Sequence, residues 1–360
     1  MICYGPRVAI NRVSTRGKFV ITIGIIGFGL SAKTFHLPFI NVSTEFQLTA
    51  ICTSQTEQAS ELYPEVATFL TASELVESTL ASVVVITSPN DSHFELAKLC
   101  LTNGLHVIVE KPMTITSAQS EELISLAEGY GLILSVFHNR RWDGDFGTVK
   151  KLINENTLGH IKVFESHFDR LRPIAGTKWR EQPGPGTGVW WDLGSHLVDQ
   201  VLVLFGSPTS ITATCLPLRK NSQSTDYFHV QLHYPTHEVI LHSSPFAAGP
   251  NVRFTIQGSQ GCYIKHGLDC QEEQLKQGLS PDADDFGQDP CVNYGQLATG
   301  TTTKSIPTEK GNYGEYYTKI ARSISHNEPP PVSAQEGHLV IKILELALLS
   351  NQQGKTLNLR

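Results

Sequence analysis

Residues 19–32, FVITIGIIGFGLSA, decide the fold. The first eight are mostly β-branched or aromatic, which predicts a strand, and the residues after them predict a tight turn and a helix start. In that turn Gly27, Gly29 and Ala32 match the pattern G-x-G-x-x-[GA]. The first glycine makes the turn, the second lets backbone approach a pyrophosphate at the helix N-terminus, and the third residue packs helix on strand. The pattern predicts phosphate contacts from Gly27, Phe28, Gly29, Ser31 and Ala32.

Strand-like and helical stretches alternate from this turn to about residue 140, which is typical of a parallel sheet covered by helices. Beyond it, strand-like stretches follow one another, and residues 265–312 are rich in Gly, Pro, Gln and Asp, which predicts a long loop with at most short elements. The predicted strands are residues 47–52, 82–86, 106–109, 133–137, 160–169, 210–215, 229–234, 238–243 and 252–257. The predicted helices are residues 55–62, 93–103, 117–128, 148–154, 315–325 and 334–350.

A chain of 360 residues exceeds the size at which one hydrophobic core stops growing, so two domains are expected. The fold class is α/β: an N-terminal Rossmann dinucleotide-binding domain over residues 20–137, and a C-terminal α+β domain with an open, largely antiparallel sheet over residues 138–360. We expect the second domain to bind substrate and form oligomers, with its C-terminal helix free to pack back on the first domain.

Composition excludes several classes of function. The formal net charge of −6 gives no general attraction to nucleic acid or anionic membranes, and no apolar run is long enough to cross a bilayer. The seven scattered cysteines form no C-x-x-C pair, which favours reduced thiols and a cytoplasmic protein. Residues 1–19 are basic without an acid, and we interpret them as a disordered or artificially added extension rather than a transit peptide.

The end of the second Rossmann strand, residues 51–55 (ICTSQ), indicates which nicotinamide cofactor is used. An acid there would bind the ribose 2′-hydroxyl of NAD, and none is present. Thr53 and Ser54 offer hydroxyls to a 2′-phosphate instead, with Lys33 as the nearest candidate cation, so NADP is favoured and NAD stays possible. The alternative is that both hydroxyl residues only form the turn.

Two later strand ends carry polar residues to the same edge of the predicted sheet. Residues 87–93 (TSPNDSH) follow one strand, and residues 107–112 (VIVEKP) form the end of the next. Lys111 there can bond a reacting hydroxyl and favour its alkoxide character, although a surface lysine before a turn proline is the alternative. The predicted cofactor contacts at these ends are Ser88, Pro89, Asn90, His93, Glu110 and Lys111.

A second chemical motif lies in residues 188–199, GVWWDLGSHLVD. On a helix, Asp192 and His196 share one face, and Asp199 lies three residues beyond the histidine. A histidine can take the hydroxyl proton as a hydride leaves, while the acid orients it or the substrate. The alternatives are helix-surface polarity or a zinc pair, but no further His or Cys cluster is close in sequence, so no metal is expected.

Together these segments are similar to the Gfo/Idh/MocA family of oxidoreductases over about residues 20–360. The resemblance rests on the glycine turn, the Glu110-Lys111-Pro112 triplet and the Asp192/His196 pair, in that order. It implies that Lys111, Asp192 and His196 are catalytic, that Asn90 and Glu110 lie against ribose and nicotinamide, and that the bond before Pro112 is cis. It also implies a homodimer or higher homo-oligomer.

Within the family, residues 137–143 (FHNRRWD) and 267–272 (GLDCQE) resemble the branch containing NADP-dependent scyllo-inositol dehydrogenases. The chain departs from that branch at Gln55, where an arginine able to grip the 2′-phosphate is expected.

These features predict hydride transfer between a nicotinamide and a secondary alcohol or ketone of a cyclitol or sugar, with a scyllo-inositol-like substrate favoured. A sensor of the same fold without chemistry, and a reductase acting on a keto-sugar or aldose, are the alternatives. Polarity and nearness to the motifs suggest as substrate-binding residues Asn139, Arg140, Arg170, Arg172 and Trp179.

Overall fold

The structure, a computed structural model, describes residues 12–15 and 18–359. They divide into two compact units. Unit 1 comprises the described residues up to His138 together with Glu272–Phe286 and Tyr313–His338, and unit 2 comprises Asn139–Gln271, Gly287–Asn312 and the described residues from Leu339 onward. Two late segments thus belong with unit 1. The sequence assigned residues 138–360 to the second domain, with the C-terminal helix free to pack back on the first.

Strands and helices are numbered in chain order. The strands are β1 (Arg12–Thr15), β2 (Lys18–Ile26), β3 (Phe46–Cys52), β4 (Ala67–Phe69), β5 (Val83–Ile86), β6 (His106–Glu110), β7 (Leu134–Phe137), β8 (Ile161–His167), β9 (Ser210–Leu216), β10 (Tyr227–His233), β11 (Glu238–Ser243), β12 (Val252–Gly258), β13 (Cys262–His266), β14 (Gly295–Thr299), β15 (Thr302–Ile306) and β16 (Leu357–Asn358). The α-helices are α1 (Leu37–Val42), α2 (Thr56–Leu62), α3 (Ala72–Glu77), α4 (His93–Thr102), α5 (Ser117–Tyr130), α6 (Gly144–Asn154), α7 (Ser195–Phe205), α8 (Gln271–Lys276), α9 (Gly314–His326) and α10 (Ala334–Gln353). None of the helices in the described part of the chain is long and apolar enough to span a membrane.

The sheet of unit 1 has the order β4-β3-β2-β5-β6-β7, and all of these strands are parallel. The chain leaves β2 toward β3 on one side and later returns to β5 on the other, so a topological switch point lies between β2 and β5. The central strand β5 (VVVI) is buried throughout, as expected for a strand covered on both faces. Ligands of such sheets bind at the carboxyl edge beside the switch point.

The strand pairing at the start of β2 corrects the interpretation of residues 1–19 as a disordered or added extension. Within that range, residues 1–11, 16 and 17 lie outside the described residues. β1 pairs antiparallel with β2, from Arg12 opposite Ile21 to Thr15 opposite Lys18. The physical reason is that β2 begins before its parallel neighbours, whose pairing starts at Ile21 and Ile23. The preceding segment satisfies these otherwise unpaired backbone groups.

Unit 2 is built on a nine-stranded sheet with the order β15-β14-β13-β12-β8-β11-β10-β9-β16. Only the β8–β11 pair is parallel. Alternate residues of β10 and β11 are buried, so one face of the sheet packs into a core and the other does not. Side chains of α6, α7 and α10 share that core, among them Phe146, Leu197 and Leu344.

The loop predicted over residues 265–312 contains three short elements: α8 of six residues, and β14 and β15 of five residues each. β14 pairs with β13, and β15 pairs with β14 at the end of the sheet. Four of the five residues of β15 (TTKSI) are exposed, so the strand lacks the apolar alternation by which strands are recognised. Backbone pairing to a neighbour makes this segment a strand.

Candidate active site

The glycine turn of unit 1 follows β2 at the switch point. Gly27 has φ of 101°, a conformation that L side chains rarely adopt, and its N–H donates to the carbonyl of Cys52 at 2.9 Å. A Cβ on Gly27 would lie 2.6 Å from Oγ1 of Thr87. Only glycine therefore fits this turn between β3 and β5.

The second glycine leaves room above the turn. A Cβ on Gly29 would meet no protein atom within 4 Å, so the backbone here is open to a close-lying group. The helix begins at once, with the N–H of Lys33 donating to the carbonyl of Gly29 at 3.1 Å, and Ala32 is fully buried beneath it. The Phe28 side chain is also buried, with its ring edge-on to Tyr63, so any phosphate contact at this residue comes from its backbone.

The other predicted cofactor residues of unit 1 lie at the carboxyl ends of strands next to this turn, as expected for a parallel sheet. Thr53 and Ser54 follow β3; the Thr53 hydroxyl accepts the N–H of Gln55 at 3.0 Å, and Ser54 is exposed. The structure brings these turns to one edge of the sheet: Gly27 to Ala32 after β2, Thr53 and Ser54 after β3, Ser88 to His93 after β5, and Glu110 and Lys111 at the end of β6.

His93 joins two of these strand ends. Its Nδ1 lies 2.8 Å from the carbonyl oxygen of Pro112, and its Nε2 lies 3.0 Å from that of Ser88. The side chain is fully buried. The prediction that His93 contacts the cofactor is therefore replaced by a positioning role, because its ring holds the turns after β5 and β6 together.

Glu110 is held by His36, a residue that sequence reasoning missed. His36 Nε2 donates to Glu110 Oε1 at 3.0 Å, and His36 Nδ1 is hydrogen-bonded to the Tyr317 hydroxyl at 2.6 Å. The Ser31 hydroxyl also bonds Glu110. Burial raises the pKa of Glu110, but the His36 bond and the nearby positive charge of Lys111 outweigh it and lower that pKa to about 2. Glu110 is therefore a carboxylate at neutral pH.

The other Glu110 oxygen fixes the start of the next segment. Its Oε2 accepts the backbone N–H of Lys111 at 3.1 Å. The Lys111–Pro112 peptide is cis, which confirms what the family resemblance implied. The only sequence signal that could have found His36 is its position four residues after Ala32, one turn into the helix that follows the glycines.

Asp192 and His196 of unit 2 lie on successive turns of a continuous helical segment. Trp190–Gly194 is a π-helical turn that leads into α7 at Ser195, whereas the sequence predicted an ordinary α-helix. His196 is buried to 7% exposure, and Asp192 is half-buried with one oxygen 3.9 Å from Nε of Arg180. Such π turns often occur at functional sites.

Asp199 plays a structural part. Its two oxygens accept from Nε and Nη2 of Arg141 at 2.9 and 2.7 Å, and both side chains are largely buried. A bidentate pair of this kind is strong and directional. Asp199 thus fixes α7 to the turn Asn139–Trp142.

The predicted substrate residues are spread over two segments of unit 2. Asn139 is buried, and Arg140 Nη1 lies 3.4 Å from Asp143 with its guanidinium 5.2 Å from the Phe168 ring centroid. Arg140 therefore has structural partners already, which lessens its availability to a substrate.

The remaining three follow β8. The backbone N–H groups of Arg170 and Arg172 donate to the carbonyls of residues 244 and 245 at 3.1 and 2.8 Å. Trp179 is 40% exposed, and the Arg180 guanidinium lies 5.0 Å from its ring centroid. Their role in substrate binding stays a prediction.

The GLDCQE segment, residues 267–272, whose sequence resembles one branch of the family, has a structural role. Asp269 accepts the N–H of Gly144 at 2.7 Å, and Gln271 Nε2 donates to the carbonyl of Trp142 at 3.0 Å. Burial, and then the nearby charge of Asp145, raise the pKa of Asp269 to about 6. The segment anchors the turn that precedes α6.

Comparison with known proteins agrees with this architecture. Residues 21–138 match the Gfo/Idh/MocA model described as oxidoreductase family, NAD-binding Rossmann fold, and residues 150–359 match the model for the C-terminal alpha/beta domain of that family.

Relatives match along nearly their whole length. The oxidoreductase YdgJ of Escherichia coli K12 is 42% identical over 94% of this chain and 98% of its own. IolW of Bacillus subtilis 168, a scyllo-inositol 2-dehydrogenase (NADP(+)), is 39% identical over 94% of this chain and 96% of its own. The solved structure of yvaA from Bacillus subtilis, an oxidoreductase by description, has a TM-score of 0.91 at 39% identity and covers 95% of this chain and 99% of that one. With both units matched, this chain belongs to the Gfo/Idh/MocA family of oxidoreductases.

Proposed function

We propose that the chain is an NADP-dependent dehydrogenase that oxidises a secondary alcohol on a cyclitol or sugar, with a scyllo-inositol-like substrate favoured. The observation that carries the proposal lies at the carboxyl edge of the unit 1 sheet, where Glu110 is hydrogen-bonded to His36 and to the backbone N–H of Lys111. The same chain presents Asp192 and His196 on successive helical turns of unit 2. The name of IolW supports the substrate class.

The residues at the switch point fit a dinucleotide. The open backbone at Gly29 and the helix start after it offer N–H groups to a pyrophosphate, and the ionised Glu110 accepts a hydrogen bond from a ribose hydroxyl or a nicotinamide amide. When bound, the nicotinamide supplies the hydride chemistry that no side chain can perform.

The preference for NADP rests on the end of β3. No carboxylate follows Cys52, so a 2′-phosphate meets no repulsion from the strand end itself. Lys33 Nζ lies 2.7 Å from Gln58 Oε1 on α2 and 4.3 Å from the Phe28 ring centroid, which holds a cation beside the helix that follows this strand end. Lys33 therefore takes the part that an arginine at position 55 would play.

In the proposed reaction each side chain handles one charge or proton. His196 takes the proton of the substrate hydroxyl, and Lys111 stabilises the alkoxide character that develops on that oxygen. Asp192 orients the histidine or a neighbouring hydroxyl of the substrate. Reduction of the matching ketone uses the same residues in reverse. The cytoplasmic location and the homo-oligomer stay predictions.

The test is an absorbance assay for reduced nicotinamide with NADP or NAD and a panel of inositols, glucose, xylose and other polyols. We expect turnover with NADP and a cyclitol, and a fall in kcat/KM of about 10²–10⁴-fold for Lys111→Ala and for His196→Ala. Lys98→Ala, an exposed lysine paired with Glu122 on the surface, is the matched control and should retain activity.

Two results would contradict the proposal. Full activity in the Lys111→Ala and His196→Ala variants would remove the catalytic assignment. Tight NADP binding without turnover of any polyol, and without oxidation of NADPH by keto-sugars or aldoses, would favour a sensor that keeps the fold without chemistry.

A further inference from the structure

The sheet of unit 2 carries a cluster of imidazoles and carboxylates on the face opposite its core. On the core face of β8 and β11 the buried residues include Phe164, Ser166 and Leu241, whereas on the other face Glu165, His167 and His242 are only half-buried. His167 and His242 are direct register partners across the parallel β8–β11 pair. Their ring centroids lie 5.0 Å apart.

Asp169, just beyond β8, lies between the two rings. His242 Nδ1 is 2.9 Å from Asp169 Oδ1, and His167 Nδ1 is 3.3 Å from Asp169 Oδ2. One ligand atom from each of the three residues lies within 4.8 Å of the other two. Neighbouring ligands of a tetrahedral Zn²⁺ with bonds of about 2.0–2.1 Å are roughly 3.3 Å apart, so little movement separates this arrangement from a coordination shell.

The surrounding contacts are those that support metal ligands. His167 Nε2, the nitrogen turned away from Asp169, lies 3.2 Å from Glu165 Oε2. A histidine that binds a metal through one nitrogen commonly donates its other N–H to a carboxylate, which fixes the ring and makes the ligand more basic. Asp169 Oδ1 also accepts the backbone N–H of Ser244 at 2.8 Å, so the carboxylate is held in place.

The charges favour a cation as well. Asp169 contacts both histidine rings through its two carboxylate oxygens. With Glu165 beside it, two carboxylates face two imidazoles. A divalent cation between the rings balances the negative charges of the two carboxylates.

We propose that His167, Asp169 and His242 form a binding site for a divalent transition-metal ion of the Zn²⁺ type, with Glu165 as the residue that orients His167. Two imidazoles and one carboxylate are ligands that Zn²⁺ prefers, and three protein ligands leave a fourth position for water. Sequence spacing did not reveal the site, because Asp169 and His242 are 73 residues apart and meet only through strand pairing. The site lies within unit 2 and does not depend on the proposed dehydrogenase activity.

The test is metal binding by the full-length chain without an affinity tag, stripped with chelator and dialysed. Calorimetric titration with ZnCl₂ should give one site per chain, and titration with CoCl₂ should give the visible absorption of a low-symmetry Co²⁺ site. His242→Ala and Asp169→Asn should abolish the stoichiometric binding. Glu165→Gln should weaken it about 10–100-fold, as expected for loss of an orienting carboxylate.

His229→Ala is the matched control, since His229 lies on the same face opposite His242 in β10 but makes no contact with Asp169 among the described hydrogen bonds. It should bind Zn²⁺ as the wild type does. Zn²⁺ should also raise the melting temperature of the wild type and of His229→Ala but not of His242→Ala. Absence of one-to-one binding in the wild type, or wild-type affinity in His242→Ala, would show that the cluster is only a hydrogen-bonded His–Asp–His chain.

Discussion

Replacing His36 by alanine tests how the carboxylate beside Lys111 is held. In the wild type, His36 donates to Glu110 at 3.0 Å and is hydrogen-bonded to the Tyr317 hydroxyl at 2.6 Å. Alanine removes both bonds and leaves Glu110 largely buried, its side chain 12% exposed. The backbone of Lys111, which donates to the same carboxylate, loses its fixed partner.

The magnitude follows from the two bonds. A hydrogen bond to a charged group contributes about 1.5–3 kcal/mol, and one between neutral groups contributes about 0.5–1.5 kcal/mol. We therefore expect the free energy of unfolding to fall by about 2–4 kcal/mol. Without His36, the hydrogen bond and the charge that it supplies no longer lower the pKa of Glu110, so this pKa rises from about 2. An acid whose pKa is lower in the folded than in the unfolded chain stabilises the fold at every pH above its unfolded pKa. The variant therefore also loses the stability that the ionised Glu110 contributes at neutral pH.

The assay combines urea unfolding with the pH profile of NADP-dependent activity. His36→Ala should lower kcat/KM, and its acidic limb should move to higher pH because Glu110 then takes up a proton more readily. His36→Gln, which keeps an N–H donor toward Glu110, should recover part of both effects. If His36→Ala unfolds within about 0.5 kcal/mol of the wild type and keeps its pH profile, the reasoning about Glu110 is wrong.

Two further predictions concern unit 1. Gly27→Ala should lower the free energy of unfolding by about 1–3 kcal/mol, because the positive φ of Gly27 and its contact with Thr87 disfavour a Cβ. Gly29→Ala should leave the free energy of unfolding unchanged and raise the dissociation constant of NADP. Equal effects of the two changes on stability would refute this contrast. Burial lowers the pKa of His106 to about 4, and its Nδ1 accepts the N–H of Ile133 at 3.0 Å. Between pH 6.5 and 4 the unfolded chain therefore binds more protons than the folded one, so the free energy of unfolding should fall by up to about 3 kcal/mol over that range. His106→Asn, which keeps an acceptor for Ile133, should reduce this dependence of stability on pH, as measured by urea titrations. An unchanged pH dependence in the variant would contradict the prediction.

Much of the fold was predictable because its signals are local. The strand before Gly27, the helix after it and the alternation up to residue 140 each follow from short-range patterns of apolar residues, and every predicted helix and strand has an observed counterpart. β1 and β15 were not predictable in this way. Each becomes a strand through pairing with a neighbour. Neither segment has the alternation of apolar and polar residues by which strands are predicted from sequence.

The sequence by itself determined the family, the glycine turn and the residue types available for chemistry, because these depend on motifs within a few residues of each other. Tertiary structure decided the partners: His36 with Glu110, Arg141 with Asp199, and the cluster of His167, Asp169 and His242. The residues in each of these contacts are tens of positions apart in the sequence, and sheet pairing and helix packing bring them together. A hydrogen bond depends on distance in space, which spacing along the chain does not specify until the sheets have formed.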